Sequence, residues 1–124
     1  MKAMMLESLG EVNPRHLPLQ LVQHPNPTLQ PGEVLLRVTR CGVCHTELDE
    51  IEGRTPPPQL PVILGHQVVG IVEEMSRAVT TEVVTTGSRV GVAWIASACG
   101  QCQFCLAGRE NLCPEFKATG RYLN

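Results

Sequence analysis

Cys99-Gly-Gln-Cys102-Gln-Phe-Cys105-Leu-Ala-Gly-Arg-Glu-Asn-Leu-Cys113 places four thiols within fifteen residues. Four thiolates at this density can close a tetrahedral shell around Zn²⁺ and leave no position open, so such a centre holds structure and does no chemistry. Gly100 and Gly108 stand where the chain has to turn sharply to gather the sulfurs, which glycine permits at low steric cost. Two other readings compete. One is four independent buried thiols, a poor match to so tight a cluster. The other is an iron–sulfur centre, because Cys-x2-Cys-x2-Cys with Pro114 after the last cysteine has a ferredoxin-like outline. In ferredoxins, however, three residues separate the third and fourth cysteines, and here seven do. Zinc fits the spacing better.

Outward from this lobe (99–113), the remaining composition bounds the rest. The chain has 124 residues with a formal net charge of −2, 43% hydrophobic and 18% charged. That is the profile of a folded domain rather than a disordered segment. The charge balance supplies no electrostatic attraction for nucleic acid or an anionic membrane, so neither is expected as a partner. The first residues contain no apolar run of signal-peptide length, and nothing approaches the ~20 apolar residues of a membrane helix. A cytoplasmic location is therefore expected, where six cysteines read as metal ligands or redox thiols rather than disulfides.

Aromatic residues make up only 3%, whereas Gly (11) and Pro (10) together exceed the usual share of about 12%. Many turns and short strands follow. Strands are expected at 2–6, 19–23, 33–40, 68–75 and 88–95. In the third of these, Val34, Leu36 and Val38 alternate with Leu35, Arg37 and Thr39 after a Pro31-Gly32 turn. Helix is expected only as short turns at 46–51 and 103–107, and 54–61, with three consecutive prolines, can only be loop. The expected fold is mostly β and barrel-like, with residues 1–124 as one domain carrying the 99–113 lobe.

Two further segments have the makings of an open metal site: Cys41-Gly-Val-Cys44-His45-Thr46-Glu47-Leu48-Asp49 and Gly65-His66-Gln67, the latter running into a strand. By themselves they are weak. Spacing does not choose between Cys41 and Cys44, and a lone His at a loop-to-strand junction is commonly a hydrogen-bonded structural residue.

Taken together, Gly42-Val43-Cys44-His45-Thr46-Glu47, Gly65-His66, Gly87-x-Arg89-Val90-Gly91-Val92 and the four-cysteine lobe resemble the zinc-containing alcohol dehydrogenases of the medium-chain dehydrogenase superfamily. The resemblance covers essentially the whole chain. It implies a GroES-like, partly open β-barrel, with Cys99, Cys102, Cys105 and Cys113 on a structural zinc. It also implies that Cys44 and His66 are two protein ligands of a catalytic zinc, the family's third lying outside this chain. Cys41 is then a small buried thiol. Glu47 takes the acidic position that orients His66. Thr46 takes the hydroxyl position that starts the proton relay, Asp49 stands at the relay position often filled by His, and His45 lies near the cofactor pyrophosphate. Trp94, the single tryptophan, lines the substrate pocket or belongs to the core. Gln67 replaces the family's common Glu, removing a negative charge beside the metal, and Asp49 has a far lower reference pKa than His.

The resemblance further implies hydride transfer between a small alcohol or aldehyde and NAD or NADP. No Gly-x-Gly-x-x-Gly occurs in the sequence, so the dinucleotide site is expected on a Rossmann domain absent from this chain. The chain thus reads as truncated before that domain and inactive by itself, with oligomerisation a property of the full-length enzyme. The alternative is a stand-alone zinc-binding module without catalysis.

Overall fold

The structure is a computed structural model and describes residues 1–122; the expected domain extends to Leu123 and Asn124, which lie outside the described residues. Short strands dominate, as the turn-rich composition requires. β1 (Lys2–Leu6) is flanked by β2 (Leu19–Gln23) and β4 (Val62–Ile63), both antiparallel to it. β3 (Val34–Gly42), β5 (Gln67–Met75) and β6 (Arg89–Val92) form a second antiparallel sheet in the order β3-β5-β6. β7 (Ile95–Ser97) pairs with β8 (Lys117–Ala118). Among the described residues the sheets remain separate and do not close into a barrel. Between the first two lies an open apolar groove of about 640 Å³, lined by residues such as Met4, Leu36, Val38 and Val68.

The core sits beneath helix α1 (His45–Ile51). Leu6, Ile51 and Val62 are fully or almost fully buried against one another, with Leu19 and Leu64 packed alongside. The central strand β1, the edge strand β4 and the last residue of α1 therefore share a hydrophobic contact that anchors the helix.

Two expectations change. The 88–95 run is not one strand: β6 ends at Val92 and β7 begins at Ile95, because the chain leaves one sheet for another. At the break, the Ala93 carbonyl accepts from Thr119 Oγ1 and the Trp94 carbonyl from the Thr119 amide, both at 2.9 Å. The clean alternation read along β3 also fails. Register shifts between Leu35 and Leu36 and between Val38 and Arg40 re-aim the side chains, and Val38 is exposed.

Candidate metal centres

The lobe is built almost entirely from local backbone. Gly100 and Gly108 adopt φ values of +73° and +66°, the left-handed turns that only glycine takes without strain. Helix α2 (Gln103–Leu106) starts after Cys102 and ends where the Gly108 and Arg109 amides donate to the Cys105 and Phe104 carbonyls. A 3₁₀ turn at Glu110–Leu112 then delivers Cys113 to the interior, where it is buried. Cys99 Sγ lies 3.9 Å and Cys102 Sγ 3.6 Å from Cys105 Sγ, and all four sulfurs fall within 4.8 Å of one another. Two sulfurs on a tetrahedral zinc with bonds of about 2.3 Å stand about 3.8 Å apart, so the cradle fits the ion.

Its charge is prepared unevenly. The Gln101 and Cys102 amides hold the Cys99 thiol down to about 7, whereas burial pushes the Cys105 thiol up to about 12. One sulfur is thus ready as thiolate near neutral pH, and another ionises only with a cation present to stabilise it.

The second cluster brings together residues from separate elements. Cys44 is the N-cap of α1: its Sγ accepts the Thr46 amide at 3.4 Å, and its own amide donates to Glu47 Oε2 at 2.7 Å. This is a capping box with a thiol in the hydroxyl position. His66, just before β5, points Nε2 at Cys44 Sγ, 3.6 Å away, and Nδ1 at Glu47 Oε1, 2.8 Å away. That approach is close but off the line of a ring N–H, and Oε1, although buried, has no aligned hydrogen-bond partner. One carboxylate therefore spans Cys44 and His66, lying on the backbone amide of one and beside the ring of the other.

The distances test whether a metal fits. A tetrahedral zinc bonded to sulfur at about 2.3 Å and nitrogen at about 2.05 Å holds those atoms about 3.6 Å apart, which is the Cys44–His66 separation. Nε2 faces the sulfur and Nδ1 the carboxylate, the division found where a carboxylate orients a metal-bound imidazole. Trp94 meets the His66 ring edge-on, with centroids 4.6 Å apart and an interplanar angle of 76°.

The other expected site residues are placed as follows. Thr46 lies on the first turn of α1, next to Cys44. His45 projects into solvent, with Nε2 3.5 Å from Asp49 Oδ1. Asp49 is also ion-paired with Arg54, so its carboxylate is engaged at the far end of the helix rather than in the cluster. Gln67 lies across from Gly42, where a Cβ would meet its Oε1 at 2.6 Å. Cys41 is exposed rather than buried.

Sequence reasoning passed over Glu50 and Arg121. Glu50 is 1% exposed, and Arg121 Nη1 donates to its Oε1 at 3.0 Å. Burial raises the Glu50 carboxyl above its usual range, against the opposing pull of Arg121. Nothing local marks these residues, 71 positions apart in the chain.

Residues 30–123 match the alcohol dehydrogenase GroES-like domain. The chain belongs to that family. An alcohol dehydrogenase of Geobacillus stearothermophilus is 46% identical over 97 residues, covering 77% of this chain and 28% of the relative. One of Moraxella sp. (strain TAE123) is 40% identical over 125 residues, covering 100% of this chain and 35% of the relative. Among solved structures, a putative zinc-binding dehydrogenase from Sinorhizobium meliloti 1021 bound to NADP superposes with a TM-score of 0.84 at 33% identity. It covers 99% of this chain and 33% of that one. The cobalt- and zinc-bound thermostable alcohol dehydrogenase from Pyrobaculum aerophilum gives 0.85 at 30% identity, covering 100% and 36%. The chain thus spans about a third of the length of the relatives it matches. No helix among the described residues is long and apolar enough to cross a membrane.

Proposed function

We propose that this chain is the metal-carrying, substrate-activating part of a zinc-dependent alcohol dehydrogenase using NAD or NADP. The observation that carries the reading is the Cys44–His66–Glu47 cluster, whose sulfur–nitrogen distance suits a shared metal and whose carboxylate lies 2.8 Å from the far ring nitrogen. Bound there, zinc supplies Lewis-acid polarisation of an alcohol or carbonyl oxygen.

The chain's own groups do the rest. Cys44 and His66 would hold the ion, and the Glu47 carboxylate, 2.8 Å from Nδ1, favours the His66 tautomer protonated there, which leaves Nε2 free for a metal. Thr46, on the first turn of α1 beside Cys44, would take the proton of the substrate hydroxyl while giving up its own hydroxyl proton to the next acceptor. His45, exposed on α1, is available to a cofactor phosphate, whereas Asp49, at the relay position, has to release Arg54 before it can take the proton onward. Trp94, packed on His66, forms one wall for a small apolar substrate. In that reading the dinucleotide site and a third protein ligand come from other parts of the full-length enzyme. The six free cysteines suit a reducing cytoplasm.

A second reading, a zinc-binding module without catalysis, draws on the contrast between four sulfurs in the lobe and two matched ligands in the cluster. Cobalt(II) separates the two. The chain with zinc in the lobe and cobalt at the second site should show visible bands that shift saturably on adding a short primary alcohol or its aldehyde. Cys44→Ser should abolish the response. Cobalt bands indifferent to alcohol and aldehyde would favour the module.

A further inference from the structure

Three consecutive residues, Thr119, Gly120 and Arg121, touch the surroundings of every member of the second cluster. Thr119 hydrogen-bonds both carbonyls at the β6–β7 break, from its amide to Trp94 and from its hydroxyl to Ala93, each at 2.9 Å. Trp94 is the residue whose ring packs on His66. Gly120, at φ +67°, lies backbone to backbone on Gly65, the residue before His66. A Cβ at position 120 would come within 2.2 Å of the Gly65 carbonyl oxygen and 2.5 Å of its nitrogen. No neighbouring side chain can swing away to relieve that clash, because the obstructing atoms are backbone.

Arg121 completes the set. Nη1 donates to Glu50 Oε1 at 3.0 Å and to the Thr55 carbonyl at 2.8 Å, and Nη2 donates to the Pro56 carbonyl at 2.9 Å. Glu50 lies one turn beyond Glu47 on the helix that Cys44 caps. A planar guanidinium reaches these three acceptors with a fixed fork of donors, a geometry that the three rotatable donors of an ammonium do not reproduce. The strap also has a fixed origin. It leaves β8, which follows Cys113 by only three residues and pairs with β7.

We propose that Thr119–Arg121 is a strap that sets the geometry of the Cys44–His66–Glu47 site, with Gly120 and Arg121 as positioning residues, and that it mechanically ties this site to the four-cysteine lobe. The positioning claim stands on these contacts, while its consequence for metal chemistry rests on the function proposed above. Gly120 sets the height of Gly65 and hence where the His66 ring enters, Thr119 holds the Trp94 backbone against it, and Arg121 fixes α1 through Glu50. Loss of the strap frees the ring and the helix to move apart, so the sulfur–nitrogen distance ceases to suit a shared ion.

The test compares wild type with Arg121→Ala, Arg121→Lys and Gly120→Ala, each carrying zinc in the lobe and labelled with ¹⁵N and ¹³C at histidine. Two signals are read: the His66 ring resonances without further metal, and the affinity for a second metal by cobalt(II) titration. In wild type, the Trp94 ring current should displace the His66 ring resonances. Arg121→Ala and Gly120→Ala should move them toward free-histidine values and weaken cobalt about 10–100-fold, the range for losing a partner that orients a ligand. Arg121→Lys should fall between, since it keeps a charge for Glu50 but loses the fork.

Lobe zinc should stay at one equivalent throughout. Folded Arg121→Ala protein with wild-type His66 resonances and cobalt affinity would overturn the strap. If Gly120→Ala does not fold, the two Arg121 variants decide the question. If wild type takes up no second metal, the metal reading of the cluster fails, and the His66 resonances alone still judge the strap.

Discussion

The four-cysteine lobe and the Cys44–His66–Glu47 cluster solve the same problem, bringing metal-binding atoms together, by opposite means. The lobe uses residues within one short segment, turned by Gly100 and Gly108 and tied by its own amides to its own sulfurs. The cluster draws Cys44 and Glu47 from the start of α1 and His66 from 22 residues beyond Cys44, and it depends on contacts with the first sheet and with residues 119–121. A centre made locally should survive damage to the fold, whereas one made by tertiary contacts should feel every change in the packing around it.

The largest effect expected is on the lobe itself. Cys113→Ser removes the buried sulfur and should weaken zinc by more than about 100-fold, beyond the 10–100-fold typical of losing an outer partner. Zinc content after dialysis against a chelator measures it. Next is Leu6→Ala, which opens the core under α1. It should cost about 2–5 kcal/mol in denaturant unfolding, and the cluster should lose its second metal at denaturant concentrations where the lobe still keeps its zinc. Simultaneous loss at both centres would erase the distinction between them.

Glu47→Gln is aimed at the cluster alone. It keeps the shape but removes the charge facing His66 Nδ1, and should weaken the second metal about 10–100-fold with the lobe unaffected, as read by cobalt titration.

The lobe has a pH signature of its own. With Cys99 held down to about 7, its thiolate is present above that pH and lost below it. Zinc uptake by the metal-free lobe should therefore weaken by at least about tenfold for each pH unit below 7, as protons compete for sulfur. Competition with a chromophoric chelator would show this. The smallest effect is expected from Arg37→Ala. It breaks an exposed pair with Glu73 across β3 and β5, and should change stability by under about 1 kcal/mol and leave both centres untouched.

The same contrast explains what could be read before the structure. The lobe was legible because its four ligands and both of its glycines lie in one window, so spacing alone carried the geometry. Most strands were legible too, from β-branched runs bounded by turns. The break at Ala93–Trp94 was not, because the reason the chain changes sheets there is Thr119, more than twenty residues later. The bulges in β3 escaped notice likewise, since alternation assumes an unshifted register.

For the cluster, the residues by themselves left Cys41 and Cys44 equivalent. The fold separates them: Cys44 caps α1 beside His66, while Cys41 Sγ sits against Gly65, where a Cβ would meet it at 2.7 Å. Glu50 and Arg121 were invisible because an acidic residue in a short helix and an arginine near the chain's end are ordinary on any surface. Only their meeting, with Glu50 buried, marks them.

Zinc X-ray absorption on the chain carrying one equivalent of metal tests the difference between the two centres most directly. Four sulfur neighbours at about 2.3 Å and no nitrogen are expected, with the spectrum unchanged in Cys44→Ser. A first shell that mixes sulfur with imidazole nitrogen, or one that changes when Cys44 is replaced, would contradict the view that the lobe is complete in itself and the cluster is not.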